Sequence, residues 1–228
     1  MRRSSTALTV TSLLSLFWLS MPPISATGLP PSPEHELIGR ATFIFRRVVE
    51  TPSAAIPASV MQRARALAVF PAAVGETGCY SGLGIVSARG NSSQDWTMPA
   101  LIAFEGQIPL SLDVASLDFV FVALTPTGAD YFKRPESALT GDRFIAPGPL
   151  GQGTPVKTGT DILAYMQFGD FFAGVTVREL SVRQLKDASA RVYGKPYSTA
   201  DVLRGGFKAP SVAQAWRDAL ASYFREMS

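Results

Sequence analysis

The chain has 228 residues, 46% of them hydrophobic and 17% charged, with a formal charge of +3, one histidine and one cysteine. That is enough chain to bury the core of one ordinary domain, and too little net charge to hold nucleic acid on a broad basic face. One cysteine excludes an intramolecular disulfide, and with His35 alone a Ser/His/Asp triad has no proton carrier inside the core.

Met1-Arg2-Arg3, an apolar run over 7–19 and a small-residue site at Ser25-Ala26 read as a signal peptide cleaved after Ala26. The run is shorter than the roughly 20 residues a membrane span needs. Cys79 is too far along to carry a lipid at the cleavage point. Cleavage removes Arg2 and Arg3 and takes the formal charge from +3 to +1, so any anion recognition has to be local. The expected location is exported, periplasmic or extracellular, with peripheral membrane association. Residues 27–33, with three prolines, predict an extended, mobile lead, and His35 is placed in it. The domain is expected over 34–205, followed by a C-terminal helix in 206–228.

From Glu34, the apolar positions Leu37, Ala41, Ile44 and Val48 predict an amphipathic helix, with Arg40 and Arg47 along one flank. Ile56-Pro57 opens a second helix with Val60, Ala64 and Leu67 inside. A helix-to-strand change is expected over 66–70, ending at Pro71. After the glycines at 75, 78, 82 and 84, strands are predicted at 85–88, 100–104, 107–113 and 117–124. The last is apolar on both faces and therefore central. A short helix over 127–133, a long irregular stretch over 135–157, strands at 162–167 and 171–180, and a helix from Ser211 with Gln214 as its capping-box partner complete the order. Helices, then mainly strands, then a terminal helix make the fold class α+β, with an antiparallel-rich twisted sheet flanked by N-terminal helices and a C-terminal helix.

Motifs for chemistry are mostly absent. Residues 78–82 (GCYSG) lack G-x-S-x-G spacing. In 151–158, Val156 stands where a phosphate loop needs its last glycine, and Ser87 stands where Gly82-Leu83-Gly84 needs its third. No Cys/His cluster suits zinc and no Asp spacing suits calcium. No cofactor or metal is expected, and Cys79 reads as a small core residue. Asn91-Ser92-Ser93 is a glycosylation sequon, relevant only in a eukaryotic host.

Residues 56–71 (IPASVMQRARALAVFP) strongly resemble the opening of SYLF domains. The segments 118–124 (DFVFVAL), 146–151 (APGPLG), 171–175 (FFAGV) and 192–198 (VYGKPYS) follow in family order. Phe168-Gly169-Asp170 stands where the resemblance implies Ser-Lys-Gly, and 103–107 is poorer in glycine than expected. The resemblance implies phosphoinositide or phospholipid binding, with an amphipathic helix before the Ile-Pro segment, and exported envelope proteins among bacterial members. Actin-linked relatives carry added domains, such as SH3, so that partner is not carried over.

Periodicity alone favours a helix packed on the sheet with its arginines in water. The resemblance turns the expectation toward a non-catalytic phospholipid-binding module. On that reading the first helix inserts its apolar stripe, Ile44 included, at the headgroup boundary of an anionic membrane, while Arg40 and Arg47 meet phosphates. Arg63, Arg65, Lys133 and Arg134 are the further candidates for a headgroup pocket. Two alternatives stay open: an envelope protein partner docking on 135–157, and an enzyme using Asp113, Asp118 and Asp161.

Overall fold

The computed structural model describes residues 32–50, 56–76, 78–90, 95–110, 116–140, 144–150, 156, 158–206 and 210–226. The segment expected to be a signal peptide, residues 27–31 of the expected lead, the sequon, Asp113 and the glycines at 151 and 153 lie outside them. Pro31–Ser228 is one compact unit.

Helix α1 (Pro33–Glu50) starts as its sequence directs. Proline suits the first turn, where its missing N–H is not needed. The Ser32 hydroxyl accepts from the backbone N–H of His35. His35 therefore belongs to the helix rather than to the lead. Helix α2 (Ala58–Arg63) follows Pro57 and gives way to strand β1 (Ala66–Glu76). Leu67 accordingly lies on the strand rather than on the helix. Pro71 does not end this strand. The register shifts between Phe70 and Ala73, Ala72 turns to φ 49°, and its N–H donates to Asp118 Oδ1 at 2.8 Å. A bulge is where a strand accommodates a residue that cannot join the ladder.

The remaining strands are β2 (Cys79–Ala88), β3 (Ala100–Gln107), β4 (Leu117–Ala123), β5 (Glu136–Thr140), β6 (Ile145–Pro147), β7 (Ile162–Phe168), β8 (Phe171–Gly174) and β9 (Glu179–Gln184). Helices α3 (Pro126–Tyr131), α4 (Lys186–Tyr193), α5 (Thr199–Arg204) and α6 (Ser211–Glu226) complete an α+β fold. The sheet order is β5-β9-β3-β2-β1-β4-β7-β6, with β8 also on β7. Among the described residues only the β6–β7 pair is parallel. The predicted antiparallel-rich sheet is present, with β4 central and buried on both faces.

Several expectations are corrected. The strand predicted at 100–104 runs on to Gln107, and of the one predicted at 107–113 residues 108–110 are not strand while 111–113 lie outside the described residues. The stretch 135–157 contains β5 and β6. The segment 171–180 splits into β8 and β9. Cys79 is exposed at the start of β2, not in the core. Gln214 turns its amide to Asp218 instead of capping Ser211, and the capping box lies at Ser198 and Asp201 on α5.

One face of the sheet packs Phe70, Phe104, Phe119 and Phe121 edge to face, with α3 closing over them. The other carries α1 and α6. Ile38, Ile44, Phe45 and Val48 of α1, with Trp216 and Leu220 of α6, cover Leu67, Val69, Ile85 and Val120. Trp216 is fully buried and its indole N–H donates to Ser87 Oγ at 2.8 Å.

The outer edge of β7 is shared: β6 runs along Ile162–Ala164 and β8 along Tyr165–Phe168. Gly148 and Val175 both donate their N–H to Ala164 O, so the two edge segments converge there. A Cβ on Gly148 would lie 1.9 Å from Tyr165 Cζ, and one on Gly174 would lie 2.1 Å from Gly148 O. The two motif glycines thus permit one close approach. Gly148→Ala is expected to destabilise the fold by at least the 1–3 kcal/mol or so typical of overpacking, and Trp216→Ala by about 3–5 kcal/mol, both measured by urea unfolding.

Candidate functional site

Burial of the α1 stripe decides which residues remain outside. Ile44 is buried against the sheet with Ala41 and Val48, so it cannot enter a bilayer while the domain is folded. The expected insertion of that stripe is corrected, because the apolar positions that predicted it are already used in packing. The outer face of α1 instead presents Glu36, Arg40, Phe43, Arg46 and Glu50, with Arg47 partly covered at its margin. Glu36, Arg40, Phe43 and Arg47 follow one another at i+4, i+3 and i+4, the spacing of neighbours on one helix face. Arg40 stands 4.0 Å from Glu36, an exposed pair of little worth.

The C-terminal half of this face adjoins the hairpin between β7 and β8. Its two-residue turn is Gly169-Asp170, with Gly169 at φ 56°, the backbone such tight turns require. Arg47 donates through Nη2 to Gly169 O at 2.9 Å and to Asp170 Oδ1 at 2.7 Å. Gln167 donates to the same Gly169 carbonyl. The Arg47 guanidinium also lies 5.8 Å from the Phe43 ring centroid. The residues flanking the turn, Phe168 and Phe171, are 48% and 58% exposed, and Phe43 is 61% exposed. Phe43 and three arginines thus share the outer face of α1, while Phe168 and Phe171 flank the turn that Arg47 holds. Each lies two residues from Met166 or Ala173 and so on their side of the sheet, the one that packs away from α1. The sequence signal was present in FGDFF, but phenylalanines in a strand read as core.

The other candidates lie elsewhere. Ala66, Ala123 and Ile162 are aligned at one end of the sheet, and the hairpin tip follows six residues on along β7, about 20 Å away. Arg63 and Arg65 are exposed beside the start of β1. Arg65 faces Arg89, whose guanidinium is held below its ordinary pKa by burial and by the Arg65 charge. Arg89 itself lies over Phe224 at 4.4 Å and donates to Gln62 O. Lys133 pairs with Asp130 at 2.7 Å, and Arg134 lines a small cavity with Tyr131 and Phe144. The seven candidates therefore do not form one headgroup pocket. Arg40 and Arg47 share a face, Ile44 is core, and the other four stand at the far end.

Of the acidic candidates, Asp118 accepts from Ala72 in the β1 bulge and Asp161 accepts from the Thr125 hydroxyl, which also caps α3. Among the described residues no three His, Cys, Asp or Glu side chains are grouped to hold a metal. No described helix is long and apolar enough to cross a membrane.

Beside the N-terminal half of α1 runs a groove of about 760 Å³, walled by Leu37 and Arg40 of α1, Leu83, and Arg183, Leu185 and Lys186 at the β9–α4 junction. Its end is closed by Arg191, which donates to Glu34 Oε1 at 2.6 Å.

Residues 106–223 match the family described as Ysc84, Las17-binding protein actin regulator. The chain belongs to this family. Four of the five segments that resemble SYLF domains fall inside the matched region, while 56–71 precedes it. Among curated relatives, LAS seventeen-binding protein 3 of Saccharomyces cerevisiae is 25% identical over 182 residues, 75% of this chain and 39% of that protein. Protein YSC84 of the same organism is 26% identical over 170 residues, 69% of this chain and 36% of its own length. The human SH3 domain-containing YSC84-like protein 1 is 25% identical over 201 residues, 81% of this chain and 57% of that protein. The matched region thus spans between about two fifths and three fifths of these relatives. No solved structure matches the chain.

The Glu34–Arg191 pair fixes where α1 starts relative to α4. Burial opposes ionisation of Glu34, but the hydrogen bond and charge of Arg191 outweigh it and leave its pKa below the ordinary value of 4.5. A depressed folded-state pKa stabilises the fold above the unfolded value, and this contribution is lost as pH falls through the folded one. Glu34→Gln is therefore expected to lower the thermal midpoint at pH 7, with the difference from the parent chain closing below about pH 4.5.

Proposed function

We propose that this Ysc84-family domain is an exported, non-catalytic phospholipid-binding module that meets an anionic membrane with the outer face of α1 and the β7–β8 hairpin tip. The observation that carries this reading is exposed Phe43 with Arg40, Arg46 and Arg47 on the outer face of α1, adjoining through Arg47 a hairpin tip whose Phe168 and Phe171 are also exposed. Amphipathic rings suit the boundary between headgroups and acyl chains. Each basic contact near an anionic surface adds about 1 kcal/mol. The geometry differs from ordinary amphipathic insertion: α1 stays on the sheet, and its polar side, not its apolar side, faces the lipid. The charged start, apolar run and small-residue site over 1–26, read as a signal peptide, support export.

A second reading is a protein partner on the same face. It is favoured by the description of the family and by the name of the yeast relative, each of which states Las17 binding.

Liposome co-sedimentation separates the two. Arg40→Glu/Arg46→Glu is expected to weaken binding to anionic vesicles by at least about 30-fold, from two lost contacts of about 1 kcal/mol each. Neutral vesicles should bind weakly in either form. Binding unchanged in a folded variant, or no binding to any vesicle by the parent chain, rejects the lipid reading and favours the protein partner. Asp170→Asn removes the one acidic side chain of the tip and one ion pair of Arg47. It is expected to strengthen anionic-vesicle binding in the same assay, and weaker binding would count against this face.

A further inference from the structure

The sheet face that α1 covers is left open at one corner. There the 760 Å³ groove and a second of about 610 Å³ share Leu83 and Arg183 as walls. Leu83 and Val74 are each more than half exposed, and Ala103 and Ser181 line the second groove. Small side chains leave depth there, and the two aliphatic ones give it apolar walls. The volume falls within the roughly 300–1,000 Å³ of small-molecule sites.

One end of this space is polar. Arg183 and Lys186 line it, and neither pairs with a carboxylate among the described residues. Lys186 also opens α4, where Leu185 occupies the cap position and supplies no side-chain acceptor. The first-turn N–H groups of a helix without such a cap are free donors, and the helix dipole adds positive potential there. In the first groove Glu34 binds Arg191, Glu36 stands by Arg40 and Asp187 lies beside Lys186. Glu105 and Glu136 line the second, Glu136 opposite Arg183 in the β5–β9 pair, so the cationic end is Lys186 with the Arg183 side that faces the first groove.

We propose that this groove binds one single-chain anionic amphiphile, its phosphate held by Arg183, Lys186 and the start of α4, and its acyl chain lying along Leu37 and Leu83 toward Val74. The ligand class rests on the lipid reading above. The place does not, because Phe43, Phe168 and Phe171 line neither groove.

The test is calorimetric titration of the full chain with palmitoyl lysophosphatidic acid below its micellar concentration, beside inorganic phosphate. One equivalent should bind. Arg183→Glu/Lys186→Glu should weaken it about tenfold or more, the loss expected from charge-assisted hydrogen bonds, and Leu83→Ser should weaken it as well. All three side chains are at the surface, and far-UV circular dichroism checks each fold. Phe43→Ser/Phe168→Ser/Phe171→Ser should leave this titration unchanged while abolishing vesicle co-sedimentation. Monomer binding with no vesicle binding would sink the membrane face and support the groove. The groove is overturned by absence of saturable binding, by equal affinity for inorganic phosphate, or by undiminished binding in the groove variants.

Discussion

Helix α1 is fastened across the sheet at both ends, by Glu34 to Arg191 and by Arg47 to the Gly169-Asp170 turn. Between these points Ile38, Ala41, Ile44, Phe45 and Val48 are sealed on the sheet with α6. A helix has one apolar stripe, and once it is used for packing the opposite face is all that can meet a partner. That constraint separates this domain from a free amphipathic helix lying in a membrane surface. It also explains why Phe43 matters: an exposed aromatic residue on the solvent side of a docked helix has no packing role.

Legibility followed the strength of the local signal. Strand β4 was readable because Leu117–Ala123 is apolar on both faces, a pattern that only a central strand satisfies. Helices α1 and α6 were readable from their 3.6-residue period. The short α4 and α5 were not, because KDASARVY and TADVLR bury few residues and gain their order from neighbours: Leu185 N–H donates to Leu101 O and Thr199 N–H to the Gln184 side chain. Strand β5 has the mixed composition of an edge and pairs only with β9. Pro71 read as a strand end because the Ala72–Asp118 bond that rescues the bulge joins residues 46 apart.

The candidate site was half legible for a related reason. Spacing alone puts Arg40 and Arg47 on one helix face. It does not say that Arg47 is engaged by a turn 122 positions later, nor that Phe168 and Phe171 escape the core. Those facts depend on β6 ending at Pro147, which frees the far half of the β7 edge for β8 and carries the hairpin beyond the covered sheet. Gly148 and Gly174 meet where that handover occurs, so the glycines of two separate motifs serve one purpose.

Charge and apolar area would make comparable contributions across the outer face of α1 and the adjoining hairpin tip. Fully burying a phenylalanine contributes roughly 1.5–3 kcal/mol, and each of the three rings is about half exposed, so the trio offers about 2–4 kcal/mol. Arg40 and Arg46 would add about 2 kcal/mol near an anionic surface, and this part falls as salt shortens the Debye length. The rings are indifferent to headgroup sign, whereas the arginines discriminate. Asp170, fully exposed beside Arg47, subtracts from that discrimination. A surface that is either neutral or closed to the rings would therefore gain only about half of the interaction. On this arithmetic, any selectivity for anionic lipid would come from α1 and most of the salt-independent hold from the hairpin tip.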